Sequence, residues 1–439
     1  MHHRLSLFVC GCALALSLCA AARVARASET NTRPAEKPLA ASPGGAEAYC
    51  QWLASCLDGL ERDLPQIAAS AEAAAQLYVA QDGRIAAHGD MGFAKELNNR
   101  AGGLMRMEYA SKVGADWKGI VLAAIRDDQL GEDLAATAKF RKQGCMVVAI
   151  ARRALIEQAR QQGAEFDSVV LTHAAEHGGM FQAGDGRWVV ATDTTANIAA
   201  AWTWTAEFVA ACTRLAQMPT MFQSYAVAGS KERAEKLRAL KFHDHVPEKI
   251  EAGVLGRRYL QALRQSALAL HAGELADIRA AARLSVAARR AGRGVYLYAQ
   301  NHALLFRLPC AHDGGYFTQI NDGWVKLKKG IALGPGDLVF CIGYDSPFRD
   351  EDWRKFDQQV RPTGATLVWS IATYKKDQIA TIPAEQILID QQWAFGDAVA
   401  DVAGYDIKIL PTSGVLAEAV LWMTAAEIHR LPAAATSPK

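Results

Sequence analysis

The sequence predicts an α/β chain built from two related domains, each a five-stranded parallel sheet with helices on both faces. Three observations predict it. The chain repeats itself: Tyr49-Cys-Gln-Trp-Leu53 opens one half and Tyr259-Leu-Gln-Ala-Leu263 the other. Trp202-Thr-Trp-Thr-Ala-Glu207 closes the first half and Trp422-Met-Thr-Ala-Ala-Glu427 the second, so the offset grows from 210 to 220 residues, a whole domain rather than a solenoid unit. Short, continuous apolar runs alternate with helical stretches, the pattern of parallel strands covered on both faces. At 439 residues and 51% hydrophobic composition, the chain can fill two cores.

The elements follow in order. Met1-His-His-Arg4, the apolar run Leu5 to Ala22 and the small-x-small triplet Ala25-Arg-Ala27 read as a cleaved export signal over 1–27, which places the protein in the periplasm or outside the cell. An uncleaved anchor is the alternative, although the run is barely long enough to span. Cleavage removes Arg4, Arg23 and Arg26 and no acid, taking the formal charge from +2 to −1. Residues 28–45 are rich in Pro, Ala and Gly and read as a disordered leader.

The first domain is expected over 46–215, opening with one long amphipathic helix over 46–71. Its strands are Arg84–His88, Gly119–Ala123, Cys145–Ile150, Ser168–Leu171 and Trp188–Ala191, and its closing helix covers 195–215. A connector over 216–258 carries Lys241-Phe-His-Asp-His245; it reads as an ordered linker, or as a segment that wraps back to lend a histidine to a site. The second domain, 259–431, repeats the order with Gly294–Tyr298, Asp337–Ile342, Ala365–Trp369, Gln386–Ile389 and Asp406–Leu410, then a helix over 415–431.

Several function classes drop out. Charge is nearly balanced, which gives no footing for nucleic acid. No P-loop, no G-x-G-x-x-G after a first strand and no G-x-S-x-G elbow occurs. The six cysteines beyond the signal show no C-x-x-C spacing, and Cys50 and Cys56 fall on different faces of one helix. No metal and no cofactor is expected.

In open parallel sheets ligands bind beyond the carboxyl ends of the strands. There the first half offers His88-Gly-Asp-Met-Gly-Phe93, where His88 and Asp90 can pair as acid and base. The second half offers Gln300 and Asn301, suited to hydroxyl groups. Thr172-His-Ala-Ala-Glu-His-Gly-Gly179 spaces His173, Glu176 and His177 three and four apart. On a helix that spacing puts both histidines on one face, yet the stretch follows a strand and ends in Gly-Gly; a metal site, a sugar-contacting acid–base site and a plain loop all remain open. Glu207 and Glu427 recur in the two closing helices and read as exposed helix glutamates; Trp202 and Trp422 read as core anchors.

An opening helix, a five-stranded parallel sheet and a closing helix launched from a Thr/Ser-rich turn, as in Leu410-Pro-Thr-Ser-Gly-Val-Leu-Ala-Glu418, resemble the sugar isomerase (SIS) domain. The resemblance covers both halves and implies a tandem pair that binds a sugar or phosphosugar, as aldose–ketose isomerases and sugar-phosphate-sensing regulators do, with a homodimer as a further partner. It implies a phosphate held by hydroxyls and helix amides in the turn after the second strand. Here those turns read Arg126-Asp-Asp-Gln-Leu-Gly-Glu-Asp133 and Tyr344-Asp-Ser-Pro-Phe-Arg-Asp-Glu-Asp352, both acidic. A carboxylate about 4 Å from a phosphate repels it by roughly 1 kcal/mol in water and more when desolvated. Arg126, Ser346 and Arg349 offset part of that, while Asp127, Asp128, Asp350 and Asp352 also suit helix capping. The expected ligand contacts are Asp90, Arg126, Asp127, Thr194, Gln300, Asn301, Ser346, Thr412 and Ser413. Glu176 with His177, or His88, would move the proton in an isomerase; a binding protein and an inactive structural relative are the other readings.

Overall fold

Two parallel sheets share one central layer of helices. The computed structural model describes residues 44–431, except 82, 246, 306, 324–326, 346–355, 357, 375–381 and 383–385. The signal, nearly all of the leader, Ser346, Arg349, Asp350 and Asp352 therefore lie outside the described residues.

The first half runs α1 (Gly45–Arg62), α2 (Leu64–Ala80), β1 (Ile85–His88), α3 (Met91–Leu97), β2 (Met107–Tyr109), β3 (Ile120–Ala124), α4 (Leu130–Lys142), β4 (Met146–Ala151), α5 (Arg153–Gln161), β5 (Ser168–Leu171), β6 (Gly179–Gln182), β7 (Trp188–Ala191) and α6 (Asp193–Arg214). After α7 (Ser230–Arg238), the second half runs α8 (Val254–Arg290), β8 (Val295–Ala299), β9 (Thr318–Gln319), β10 (Leu338–Asp345), β11 (Thr366–Ala372), β12 (Ile387–Asp390) and α9 (Ser413–Arg430). The sheet orders are β2-β1-β3-β4-β5 and β12-β11-β10-β8-β9, every pairing parallel.

Strand alternation divides the core. Ile120, Leu122 and Ala124 of β3 join Leu338, Phe340 and Ile342 of β10 in one central core. Val121 and Ala123 turn outward onto Leu130, Phe140, Leu155 and Ile156 of α4 and α5. Val339 and Cys341 do the same in the second half, against Phe356 and Trp369. The closing helices α6 and α9 are buried almost all round, as a helix between two sheets must be. Trp202 and Trp422 are core anchors, each 1% exposed.

Three expectations are corrected. The opening helix is two helices, broken at Asp63 with Pro65 in the first turn of α2, where proline lacks the amide that a continuing helix would use. Trp188–Ala191 is a strand, but it pairs antiparallel with β6 across a tight turn, and β2 takes the fifth place in the sheet. Asp406–Leu410 alternates polar and apolar residues and forms only a single bridge, Ala400 to Ile409; β9 is the fifth strand there.

The recurring glutamates are not exposed. Glu207 is 0% and Glu427 8% exposed. Glu207 accepts the backbone N–H groups of Gly253 and Gly256 at 2.7 and 2.8 Å, at the start of α8. Glu427 accepts the N–H of Ala46 at 3.1 Å, at the start of α1. The last helix of each half thus caps the first helix of the other, satisfying amides that a helix start leaves bare.

Candidate functional site

The carboxyl ends of both sheets are closed by segments exchanged between the halves. Arg307 follows β8 yet reaches the edge of the first sheet, donating to Asp90 and to Glu418 of α9, both at 2.6 Å. Arg100 follows α3 and donates to Glu96 of that helix at 3.0 Å, yet reaches the second half, where it pairs with Asp397 at 2.6 Å and contacts Ser413. Trp202 donates its indole N–H to Glu96 and Trp422 to Glu418, so each core tryptophan supports one buried arginine–glutamate pair.

At the first sheet's edge the residues form a chain of charge. His88, at the end of β1, meets Asp133 at 2.9 Å, and the backbone N–H of Arg126 donates to the same carboxylate at 2.8 Å, joined by the Arg126 guanidinium. His88 and Arg126 together hold the Asp133 carboxyl below its ordinary range, although burial alone would raise it. Next to it, Asp127 accepts from Arg152 at 2.7 Å and lies 3.3 Å from His312. Arg152 also donates to Asp193, at the start of α6, and to the carbonyl of Glu176 at 2.9 Å. His312 comes from the second half and bonds the Trp188 carbonyl at 2.9 Å through Nδ1.

This cluster spreads its acidities widely. His312, 3.3 Å away, and Arg152 together hold Asp127 down at about 2. Burial pushes Asp193 up to about 6 against the pull of Arg152 and His312. Burial alone would lower the His312 imidazole, but its pairing with Asp127 leaves it above the ordinary value. Asp193 Oδ1 is buried and makes no hydrogen bond among the described residues. Gly178 makes room for the pair: its φ is +75°, and a Cβ there would fall 2.5 Å from Asp193 and 2.6 Å from His312.

Beside this cluster, beyond the carboxyl ends of β4 and β5, opens a cleft of about 460 Å³. Arg152, Arg153, Glu157, His173 and Glu176 line it. His173 has φ +55° and bonds Asp63 at 2.9 Å, its ring lying on Gly59. The stretch from Thr172 to Ala175 is not helical, so the helical metal spacing does not form. A larger groove of about 1100 Å³ runs past Cys145, Met146 and Asp167, at the amino ends of β4 and β5.

The sequence-derived candidates fall in several places. His88 and Arg126 meet on Asp133, and Asp90 and Asp127 bind the arginines above. Glu176 faces the cleft, while exposed His177 stacks on Trp188 at 4.2 Å, so the three expected proton carriers have three different surroundings. Thr194 bonds Glu418 at 2.9 Å and takes the Trp422 N–H at 3.0 Å. Gln300 and Asn301 are buried, bonded to the Tyr298 hydroxyl and to the Ser413 carbonyl. Thr412 and Ser413 donate their amides to Asp397 at 3.3 and 3.0 Å, and the Ser413 hydroxyl donates at 2.8 Å. Asp127 caps no helix; α4 starts without a side-chain cap. In the connector, His243 packs on Tyr405 and lies 4.0 Å from Asp406. Arg152, Asp193, Arg307 and His312 were missed. The first two directly follow β4 and begin α6, so strand-end position alone would have found them; nothing in sequence marks the cross-over of the others.

This architecture has counterparts among solved structures. Tagatose-6-phosphate ketose/aldose isomerase from Escherichia coli superposes with a TM-score of 0.50 at 11% identity, covering 90% of this chain and 95% of that one. The chain has the tandem SIS fold. The C-terminal domain of glucosamine-fructose-6-phosphate aminotransferase from Francisella tularensis gives 0.49 at 10% identity, over 86% and 95%. No family model and no curated protein matches the sequence. At such identities the SIS likeness establishes the fold alone.

Proposed function

We propose that the protein binds a sugar derivative at the carboxyl edge of the first sheet, in the cleft floored by Arg152. The observation that carries this reading is the position of the cleft: in a doubly covered parallel sheet, ligand sites lie beyond the carboxyl ends of the strands. Its volume suits a small ligand. Its walls supply what a polyhydroxylated ring needs, donors from Arg152 and Arg153, acceptors from Glu157 and Glu176, and the oriented imidazole of His173.

Aldose–ketose isomerisation is the second reading. One observation favours it: Asp193 titrates near 6, where a carboxyl exchanges protons at neutral pH, close to Arg152 and His312. The export signal over 1–27 would place either activity outside the cytoplasm; N-terminal sequencing of the purified protein tests that.

Binding is tested by thermal unfolding of the mature chain against neutral sugars, amino sugars and sugar phosphates. A ligand at about 100 times its dissociation constant adds roughly 2.7 kcal/mol. A shift with one sugar class that disappears in Glu176→Gln supports the cleft. Absence of a shift across the whole panel rejects the binding reading.

A further inference from the structure

The turn Cys310-Ala-His-Asp-Gly-Gly315 presents one side chain of the second half to the first. Asp313 closes it by accepting the amides of Cys310 at 3.2 Å and Gly315 at 2.8 Å. His312 has φ +65°, a backbone conformation that persists in a residue with a Cβ where surrounding contacts fix it. Its ring supplies such contacts. Nδ1 lies 2.9 Å from the Trp188 carbonyl in β7, and Nε2 lies 3.3 Å from Asp127 in the turn after β3. Arg152, just before α5, pairs with Asp127 and with Asp193 at the start of α6, and a Cβ on Gly178 would meet Asp193 and His312 alike. The other charged or titratable groups here are engaged elsewhere: Arg187 by Asp185, Asp313 by the amides of its own turn, and His177 on the Trp188 ring.

The His312 ring therefore faces two acceptors. The carbonyl at Nδ1 needs a proton there, so a neutral ring turns the lone pair of Nε2 toward the Asp127 carboxylate. Only the imidazolium offers a proton to both. It also balances the charge, Asp127 and Asp193 against Arg152 and His312, whereas a neutral ring leaves two carboxylates to one guanidinium. We infer that His312 is a proton-dependent latch between the halves: protonated, it pins the segment 172–191, which carries Glu176 of the cleft, and deprotonated, it releases that segment. Release lies on the alkaline side. Burial lowers the affinity of this imidazole for its proton, but Asp127, the Trp188 carbonyl and Asp193 outweigh it and leave the group above its ordinary 6.5. The stability it adds is complete below about pH 6.5 and is lost as pH rises through the folded value. The latch rests on the geometry of this junction; only its effect on the cleft rests on the sugar-binding reading.

The test uses the full mature chain, His312→Gln and Asp127→Asn. Histidine ¹⁵N NMR follows the ring across the neutral and mildly alkaline range, the His312 signal being the one lost in His312→Gln. Amide exchange of segment 172–191, corrected for the chemical pH dependence of exchange, follows release. In the wild type both ring nitrogens should carry protons on the acid side, the midpoint should lie above 6.5, and exchange should quicken at least about tenfold as pH crosses it. His312→Gln should exchange at the fast rate at every pH, and Asp127→Asn should move both the midpoint and the release to lower pH. A midpoint at or below 6.5, or exchange that does not change across it, overturns the latch. If His312→Gln does not fold, Asp127→Asn and the wild type still decide, since a purely structural histidine would give no joint shift. Glucose and N-acetylglucosamine, which carry no titrating group in this range, separate the two readings. If either binds, its affinity should fall over the same interval, and an unchanged affinity would cut the tie to the cleft. If neither binds, the loss falls on the sugar-binding reading, and the ring and amide results judge the latch by themselves.

Discussion

Glu207 accepts the backbone N–H of Gly253 at 2.7 Å, so a side chain from the last helix of the first half caps the first helix of the second. Glu427 does the same for Ala46 in the other direction. Folding of either half therefore leaves an amide set bare until the other half docks. Glu207→Ala should cost about 1–3 kcal/mol, the penalty for orphaning buried amides, and Glu207→Gln should cost less because its carbonyl still accepts. Urea denaturation checks both; equal loss in the two variants would assign the effect to packing instead.

Arg307 carries the other half of the exchange. It is buried between Asp90 and Glu418, so Arg307→Met leaves two carboxylates without their cation and should cost about 3–5 kcal/mol. Adding Glu418→Gln to that variant should recover part of the loss, because the uncompensated buried charge is what destabilises. A double-mutant cycle measures this coupling. A strictly additive result would mean that Arg307 and Glu418 do not stabilise each other.

How much of this could be read from sequence depends on range. Continuous apolar strands such as Ile120–Ala124 announce themselves, because burial on both faces leaves no polar position. Ser168–Leu171 was placed to the residue by its Val-Val-Leu run, although only Val170 is fully buried there. The edge strands β2 and β9 were missed: at two or three residues, with Glu108 or Thr318 exposed, they have no period to detect. The candidate site divides in the same way. His88, Asp90 and Arg126 sit at strand ends and were legible. His312 and Arg307 act across the boundary between the halves, a long-range exchange that leaves no local pattern. Glu207 and Glu427 were visible as a repeat, yet their partner is a backbone amide, which has no sequence signature.

The raised pKa of the buried Asp193 carboxyl sets a pH dependence. Its folded value, about 6, lies above the ordinary 3.8, so the native state binds a proton that the unfolded chain has released between those values. Stability from this group is therefore present below about pH 4 and is lost as pH rises to about 6. Asp127 works oppositely: held at about 2, it stabilises above pH 4 and loses that as pH falls toward 2. Asp193→Asn should remove the first trend and keep the second. Unfolding free energies at pH 4, 5, 6 and 7 check this; identical pH slopes in wild type and Asp193→Asn would place the titration elsewhere.

Gly178 and Gly186 separate backbone strain from packing at the junction of the halves. Both have positive φ, +75° and +85°, so alanine costs about 1 kcal/mol of backbone strain at either. At Gly186 a Cβ would meet nothing within 4 Å. At Gly178 it would collide with the Asp193 carboxylate and the His312 ring, which belong to different halves. Gly178→Ala should therefore destabilise well beyond Gly186→Ala and push His312 away from Asp127. Freed of that partner, the Asp127 carboxyl should rise from about 2, and the acid-induced loss of stability should begin at higher pH than in Gly186→Ala. Acid denaturation of the two variants side by side is the measurement. Coincident acid transitions would show that the contact between Asp127 and His312 survives the added methyl group, and that Gly178 is needed for its backbone conformation alone.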